Sequence, residues 1–154
     1  MTRPAVGDTV PAFEMTADDG SVVSDAALRG RRYVLYFYPK DDTPGCTTQA
    51  CSLRDSFAAV TGTGVEVFGV SPDSVRSHVK FRDKYALPYR LLSDEGHRAA
   101  EAFGVWIEKS RYGRTYFGNE RTSFIVGPDG TVEHVLPKVK PDEHVGLILE
   151  ALAA

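Results

Sequence analysis

Six consecutive apolar and aromatic residues, Tyr33-Val34-Leu35-Tyr36-Phe37-Tyr38, constrain the fold of this chain more than any other stretch. A run of that length with no polar alternation predicts a strand buried on both faces. Pro39 stops it, and Lys40, Asp41 and Asp42 form a polar connection. Thr43 then directly precedes Pro44, the order of an N-cap followed by proline in the first helical turn. Downstream, Ala50, Leu53, Phe57 and Val60 fall three or four residues apart, which predicts one helix running on to Val60. Cys46 therefore belongs to the first turn of a helix, beyond the carboxyl end of a buried strand.

That location has chemical consequences. First-turn N–H groups lack helical partners and carry the positive end of the macrodipole. An anion is stabilised there, and the thiolate is the nucleophilic form of cysteine. Cys46 is thus the best candidate for an activated sulfur, set against the reading of a small buried hydrophobe. Cys51, the second of two cysteines, lies five residues on in the same predicted helix. Five helical steps leave the two side chains about 140° apart with Cα atoms roughly 8.6 Å from each other. A disulfide tolerates only about 7 Å. The pair cannot bond while the helix is intact, so it suits a disulfide formed and reduced in a cycle in which the first turns unwind. Two unrelated helix cysteines remain the alternative.

The segment Pro39-Lys-Asp-Asp-Thr43-Pro44-Gly45-Cys46 resembles the P-x-x-x-T-x-x-C motif of the peroxiredoxins. KDDTPGCTTQAC is similar to their bacterioferritin comigratory protein, or peroxiredoxin Q, branch. The start VGDTVPAFEM, the segment FGVSPDS and the late FGVWIEK and YGRTYFGNERTSFIVGPDG resemble that family too, so the likeness spans nearly the whole chain.

Charge and hydropathy exclude several other classes. The net charge of −3 and pI near 5.8 leave no basic footprint for nucleic acid. The longest apolar run is far too short to cross a bilayer. Met1-Thr-Arg-Pro-Ala-Val-Gly-Asp lacks the apolar core of a signal peptide. Two cysteines without such a signal point to the cytoplasm, a reducing compartment where disulfides are catalytic or sensory. A length of 154 residues fits a single domain over 1–154.

Along the chain, Ala12 to Thr16 and Ser21 to Val23 flank Asp19-Gly20, an N-terminal β-hairpin signal. Ser24 is placed to cap a helical turn through Leu28, and Asp8, Asp18 and Asp19 read as solvated turn residues. Val65 to Val70 predicts a second buried strand, and Ser71-Pro72-Asp73 the start of a helix carrying Val75, His78, Val79 and Arg82. Leu91-Leu92 marks a short strand and His97 to Phe103 a short helix ended by Gly104. Thr122 to Gly127 and Thr131 to Leu136 flank Pro128-Asp129-Gly130 as a second hairpin, and Pro141 opens a C-terminal helix. The order predicts an α/β fold with a central mixed β-sheet flanked by helices. The resemblance implies that this is a thioredoxin-like fold.

The resemblance also assigns roles. Arg121 matches the family's late arginine, whose guanidinium would stabilise the charge that builds on peroxide oxygens; a surface arginine paired with Glu120 is the alternative. Thr43 would accept from or donate to the peroxide and the Cys46 sulfur, in addition to capping the helix. Pro39 and Pro44 would shape the pocket and shield the thiolate, and Gly45 would let backbone approach the substrate. The implied activity is a thiol peroxidase acting on hydrogen peroxide and organic hydroperoxides. Cys46 would become a sulfenic acid, Cys51 would resolve it, and thioredoxin or a similar dithiol would reduce the disulfide. The implied enzyme needs no metal and no organic cofactor, and works as a monomer or weak dimer. Two other classes stay open: a thioredoxin-type disulfide oxidoreductase, against which the five-residue spacing counts, and a non-enzymatic redox sensor. His78, His97, His134 and His144 show no short ligand spacing, which argues against a zinc site. Trp106, Tyr112, Tyr116 and Phe117 are assigned to core or loop packing, and Arg54 and Asp55 to the helix surface.

Overall fold

A computed structural model describes residues 3–153; Met1 and Thr2, which open the N-terminal stretch without a signal-peptide core, and Ala154 lie outside it. The expected buried strand is β3, Arg32–Phe37, and its alternate side chains feed two separate cores. Tyr33, Leu35 and Phe37 enter one; Val34, Tyr36 and the following Tyr38 enter the other. Both faces are therefore covered, which is why the run lacks polar alternation.

The strand pairs in parallel with β4 (Val65–Ser71) and antiparallel with β8 (Thr122–Val126). With β1 (Glu14–Ala17), β2 (Val22–Ser24), β5 (Arg90–Ser93) and β9 (Val132–Leu136), the seven-stranded order is β2-β1-β5-β4-β3-β8-β9. On one face lie α1 (Pro44–Asp55), α2 (Phe57–Thr61), α3 (Val75–Tyr85) and α5 (His144–Ala153), whose buried side chains join Val34, Tyr36 and Tyr38. The short α4 (Arg98–Ala102) covers the other. This is the expected mixed sheet with helices on both faces and an N-terminal hairpin, and it is the thioredoxin-like arrangement.

Several local expectations need correction. The helix after Cys46 is two helices, because Ser56 (φ −109°, ψ 14°) leaves helical geometry between Asp55 and Phe57. Ser24 receives the Ala27 N–H at 3.1 Å, but the segment closes as turns rather than a helix. The helix expected from Ser71 starts at Val75, with the Ser74 hydroxyl accepting from Ser77 N at 3.1 Å. The C-terminal helix begins at His144 rather than Pro141, whose neighbours form a turn.

Asp18 is buried rather than solvated. Pairing of β1 with β5 carries it to Leu91, whose N–H it accepts at 3.0 Å, and Arg82 neutralises it at 2.8 Å. The Trp106–Asn119 stretch forms a separate two-stranded hairpin, β6 (Trp106–Arg111) and β7 (Arg114–Asn119), with Tyr112 in its turn as expected of a loop residue and Tyr116 and Phe117 on a strand rather than in core or loop. Trp106 does pack on the core and stacks on His97, with ring centroids 4.2 Å apart. Tyr112, Tyr116 and Phe117 stay in solvent at 91%, 46% and 57% exposure. Among the described residues no helix is long and apolar enough to cross a membrane.

Candidate active site

The connection after β3 is pinned from both sides before it reaches the helix. Asp41 turns inward and accepts from Tyr38 Oη at 2.6 Å and Ser77 Oγ at 2.8 Å. Its other neighbour is His78 Nδ1 at 2.7 Å, and His78 Nε2 donates to the Leu92 carbonyl at 3.0 Å. His78 and Asp41 are both buried, so the contact between them lies in a low-dielectric site where a hydrogen bond is electrostatically strong. Asp42 turns outward at φ 57°, a region asparagine and aspartate tolerate better than most residues. Its carboxylate takes Lys84 Nζ at 2.8 Å and Tyr85 Oη at 2.9 Å, both on α3. The polar connection is thus a double clamp holding the start of α1 against α3.

Thr43 occupies the N-cap position with extended backbone (φ −91°, ψ 156°), and its carbonyl accepts from Thr47 N at 2.8 Å. The expected side-chain cap is absent. The hydroxyl instead donates to the Lys40 carbonyl at 2.9 Å, which closes the turn and leaves the oxygen free to accept. Pro44 and Gly45 are the first two helical residues, and Cys46 is the third. Cys46 is only 2% exposed, Pro39 and Gly45 are half-buried, and Pro44 faces solvent.

Arg121 arrives from the start of β8, the neighbour of β3 in the sheet. Its Nη1 lies 3.5 Å from Cys46 Sγ and donates to Gln49 Oε1 at 2.5 Å. Its expected alternative partner, Glu120, is occupied elsewhere, by Arg3 and by the Thr122 hydroxyl at 2.7 Å. Gly45 has a concrete reason here: a Cβ on it would lie 3.2 Å from Arg121 Nη2, so its backbone lets the guanidinium close on the helix start. Gln49 was not singled out by sequence reasoning. It is fully buried, one helical turn beyond Cys46, and holds the guanidinium by its amide oxygen. The three-residue offset from Cys46 was the available signal.

A second cation borders the site. Lys109 of β6 donates to the Asn119 carbonyl at 2.5 Å, and burial first and Arg121 second push its pKa down. Behind the sheet end, His144 Nε2 and Ser123 Oγ are 2.6 Å apart; burial chiefly pushes the His144 pKa down to about 3, so it is neutral at physiological pH.

Cys51 is half-buried in the middle of α1, and both cysteines are free thiols. The helix is continuous through both, so a bond between them requires its local unwinding. Arg54 lies at the helix surface as expected, its Nε 3.0 Å from the exposed Asp55, and it also reaches across to the Tyr85 carbonyl at 2.7 Å.

Residues 6–135 match the AhpC/TSA family. The putative peroxiredoxin bcp of Coxiella burnetii is 45% identical over 96% of this chain and 97% of its own length. The peroxiredoxin Bcp of Escherichia coli K12 is 44% identical over 95% and 94% respectively. A solved structure of the Xanthomonas campestris bacterioferritin comigratory protein superposes with a TM-score of 0.86 at 35% identity, covering 92% of this chain and 90% of that one. A family match over most of the chain and relatives matching nearly all of it, on a fold that sets a cysteine at a helix start beside an arginine, make this chain a member of the AhpC/TSA family among the Bcp peroxiredoxins.

Proposed function

We propose that Cys46 is the sulfur that attacks peroxide in this thiol peroxidase, with Arg121 and Thr43 acting on the same oxygens and Cys51 as the resolving thiol. The observation that carries the assignment is Arg121 Nη1 at 3.5 Å from Cys46 Sγ, at the open end of a helix. The Cys46 thiolate attacks one peroxide oxygen; an S–O bond forms, the O–O bond breaks, and the electron pair leaves on the other oxygen, which takes a proton as water or alcohol. Arg121 faces the charge that develops on both oxygens, and first-turn N–H groups add to it. Thr43 Oγ1, its hydrogen committed to Lys40, accepts from the protonated peroxide oxygen and helps aim it. Pro39, Pro44 and Gly45 form the rim of the pocket.

Cys46 is then a sulfenic acid. Local opening of α1 lets the Cys51 thiolate attack that sulfur; the S–S bond forms, the S–O bond breaks, and the oxygen leaves as water. A dithiol protein, thioredoxin or one like it, returns both thiols by exchange. The Xanthomonas campestris relative is described by its alkyl peroxide reduction activity. That supports organic hydroperoxides beside hydrogen peroxide as substrates of this chain. Two free cysteines and a cycle dependent on reduction fit a cytoplasmic enzyme, working as one domain and as a monomer or weak dimer.

Stopped-flow oxidation of the reduced single-cysteine variants tests the assignment. Cys46→Ser should abolish peroxide consumption. Cys51→Ser should keep the first step fast and stop at the sulfenic acid; loss of that step in Cys51→Ser, with Cys46→Ser active, would reverse the assignment.

A further inference from the structure

Resting on the reading that Cys51 resolves Cys46, we infer that Tyr89 is a positioning residue for the second chemical step, a latch that holds α1 closed and sets how fast the disulfide forms. Tyr89 Oη donates to the Ala50 carbonyl at 3.0 Å, the residue immediately before Cys51. It also lies 2.9 Å from Tyr36 Oη. A hydroxyl has one hydrogen, and that of Tyr89 is committed to Ala50, so Tyr36 must be the donor to Tyr89. The result is a directed chain from the central strand through Tyr89 to the helix backbone, in which each bond polarises the next.

Both phenols are buried, and burial raises both pKa values, so neither ionises and the chain keeps its direction. The Tyr89 ring is fixed as well, edge-on to Tyr36 with centroids 5.9 Å apart and 6.0 Å from the Phe57 ring. Four residues upstream, the Tyr85 carbonyl accepts from Arg54 Nη1 at 2.7 Å. The last residue of α3 and the connection from it to β5 therefore grip α1 at two points, on either side of Cys51.

Joining two cysteines five residues apart requires residues between them to leave helical geometry. Moving the Ala50–Cys51 peptide breaks the Tyr89 bond in the open form, but that bond does nothing to the sulfur-peroxide step, which occurs with the helix closed. Removing it should favour opening without touching the first oxidation. The Tyr36 hydroxyl loses its partner in both closed and open forms, so that loss cancels in the comparison.

Tyr89→Phe keeps the ring and deletes the hydroxyl. In single-turnover oxidation by hydrogen peroxide, the sulfenic acid should form at the parent rate and convert to disulfide about three- to tenfold faster, the typical net effect of one buried hydrogen bond. Arg54→Lys, which keeps a cation beside Cys51 and gives up the planar reach to Tyr85, should act in the same direction. Amide exchange of the reduced proteins should show matching loss of protection at residues 50–54. A folded Tyr89→Phe protein whose sulfenic acid persists as long as the parent's, or longer, overturns the latch. If Tyr89→Phe does not fold, unchanged conversion in Arg54→Lys overturns it. Absence of any Cys46–Cys51 disulfide in the parent would instead overturn the underlying reading, so the two failures are distinguishable.

Discussion

Replacing Gln49 with leucine should lower activity while leaving stability almost unchanged, and the structure explains why the two separate. Gln49 is fully buried, and its amide oxygen accepts from Arg121 Nη1 at 2.5 Å. Its amide nitrogen has no partner among the described residues. Losing a hydrogen bond to a charged donor costs about 1.5–3 kcal/mol, and removing an orphaned buried amide returns about 1–3 kcal/mol. The two nearly offset, so the urea midpoint should move by less than about 1 kcal/mol equivalent. The rate is another matter, because the same nitrogen that Gln49 holds is the one facing Cys46 Sγ at 3.5 Å. Freed from its tether, the guanidinium samples positions away from the sulfur. A misplacement of ~1 Å costs up to about a hundredfold, and a whole positioned donor is worth about 10²–10³. A fall of about ten- to a hundredfold in the first oxidation rate is therefore expected. The measurement is stopped-flow peroxide oxidation in a Cys51→Ser background, where only that step is seen, alongside urea unfolding of the same protein. A Gln49→Leu protein that oxidises as fast as its parent would refute the idea that Gln49 aims Arg121.

Three further outcomes follow from neighbouring contacts. Gly45→Ala adds a methyl 3.2 Å from Arg121 Nη2 at a helical position; stability should rise by up to about 1 kcal/mol from helix propensity while the first oxidation slows. Asp41→Asn removes the charge that joins Tyr38, Ser77 and His78. The amide NH2 of asparagine faces at least one of those donors and leaves it unsatisfied in a buried site, which costs about 1–3 kcal/mol, so the urea midpoint should drop. The third concerns acid. An unfolded histidine takes up a proton below about pH 6.5, whereas buried His144 does so only near 3. Between those values the unfolded chain binds more protons, so His144 makes stability fall as pH drops, by up to about 1.4 kcal/mol per pH unit. His144→Gln should flatten that acid limb between pH 6 and 4 in urea titrations; an unaltered slope would assign it to other groups.

What could be read in the sequence was local. The strand Tyr33–Tyr38 announces itself by uninterrupted apolarity, and Thr43-Pro44 marks the helix start that puts Cys46 in its first turn. Arg121 could be placed at the edge of the sheet because it directly precedes the run TSFIV. The parts not legible depend on pairing between distant segments. Asp18 looks like any turn aspartate until β5 delivers Leu91 and α3 delivers Arg82. Asp41 and Asp42 look alike in sequence, yet one is buried against His78 and the other held outside by Lys84. The β6–β7 hairpin escaped because its alternating residues face solvent on a ribbon with little core to enforce a pattern. Gln49 lay within reach of helical periodicity, but its partner is 72 residues away.

The most direct measurement is mass analysis of the fully reduced chain after one equivalent of hydrogen peroxide. The mechanism predicts a single product two hydrogens lighter, with peptide mapping joining Cys46 to Cys51. Recovery of two intact thiols, or oxidation at a residue other than Cys46, would contradict it.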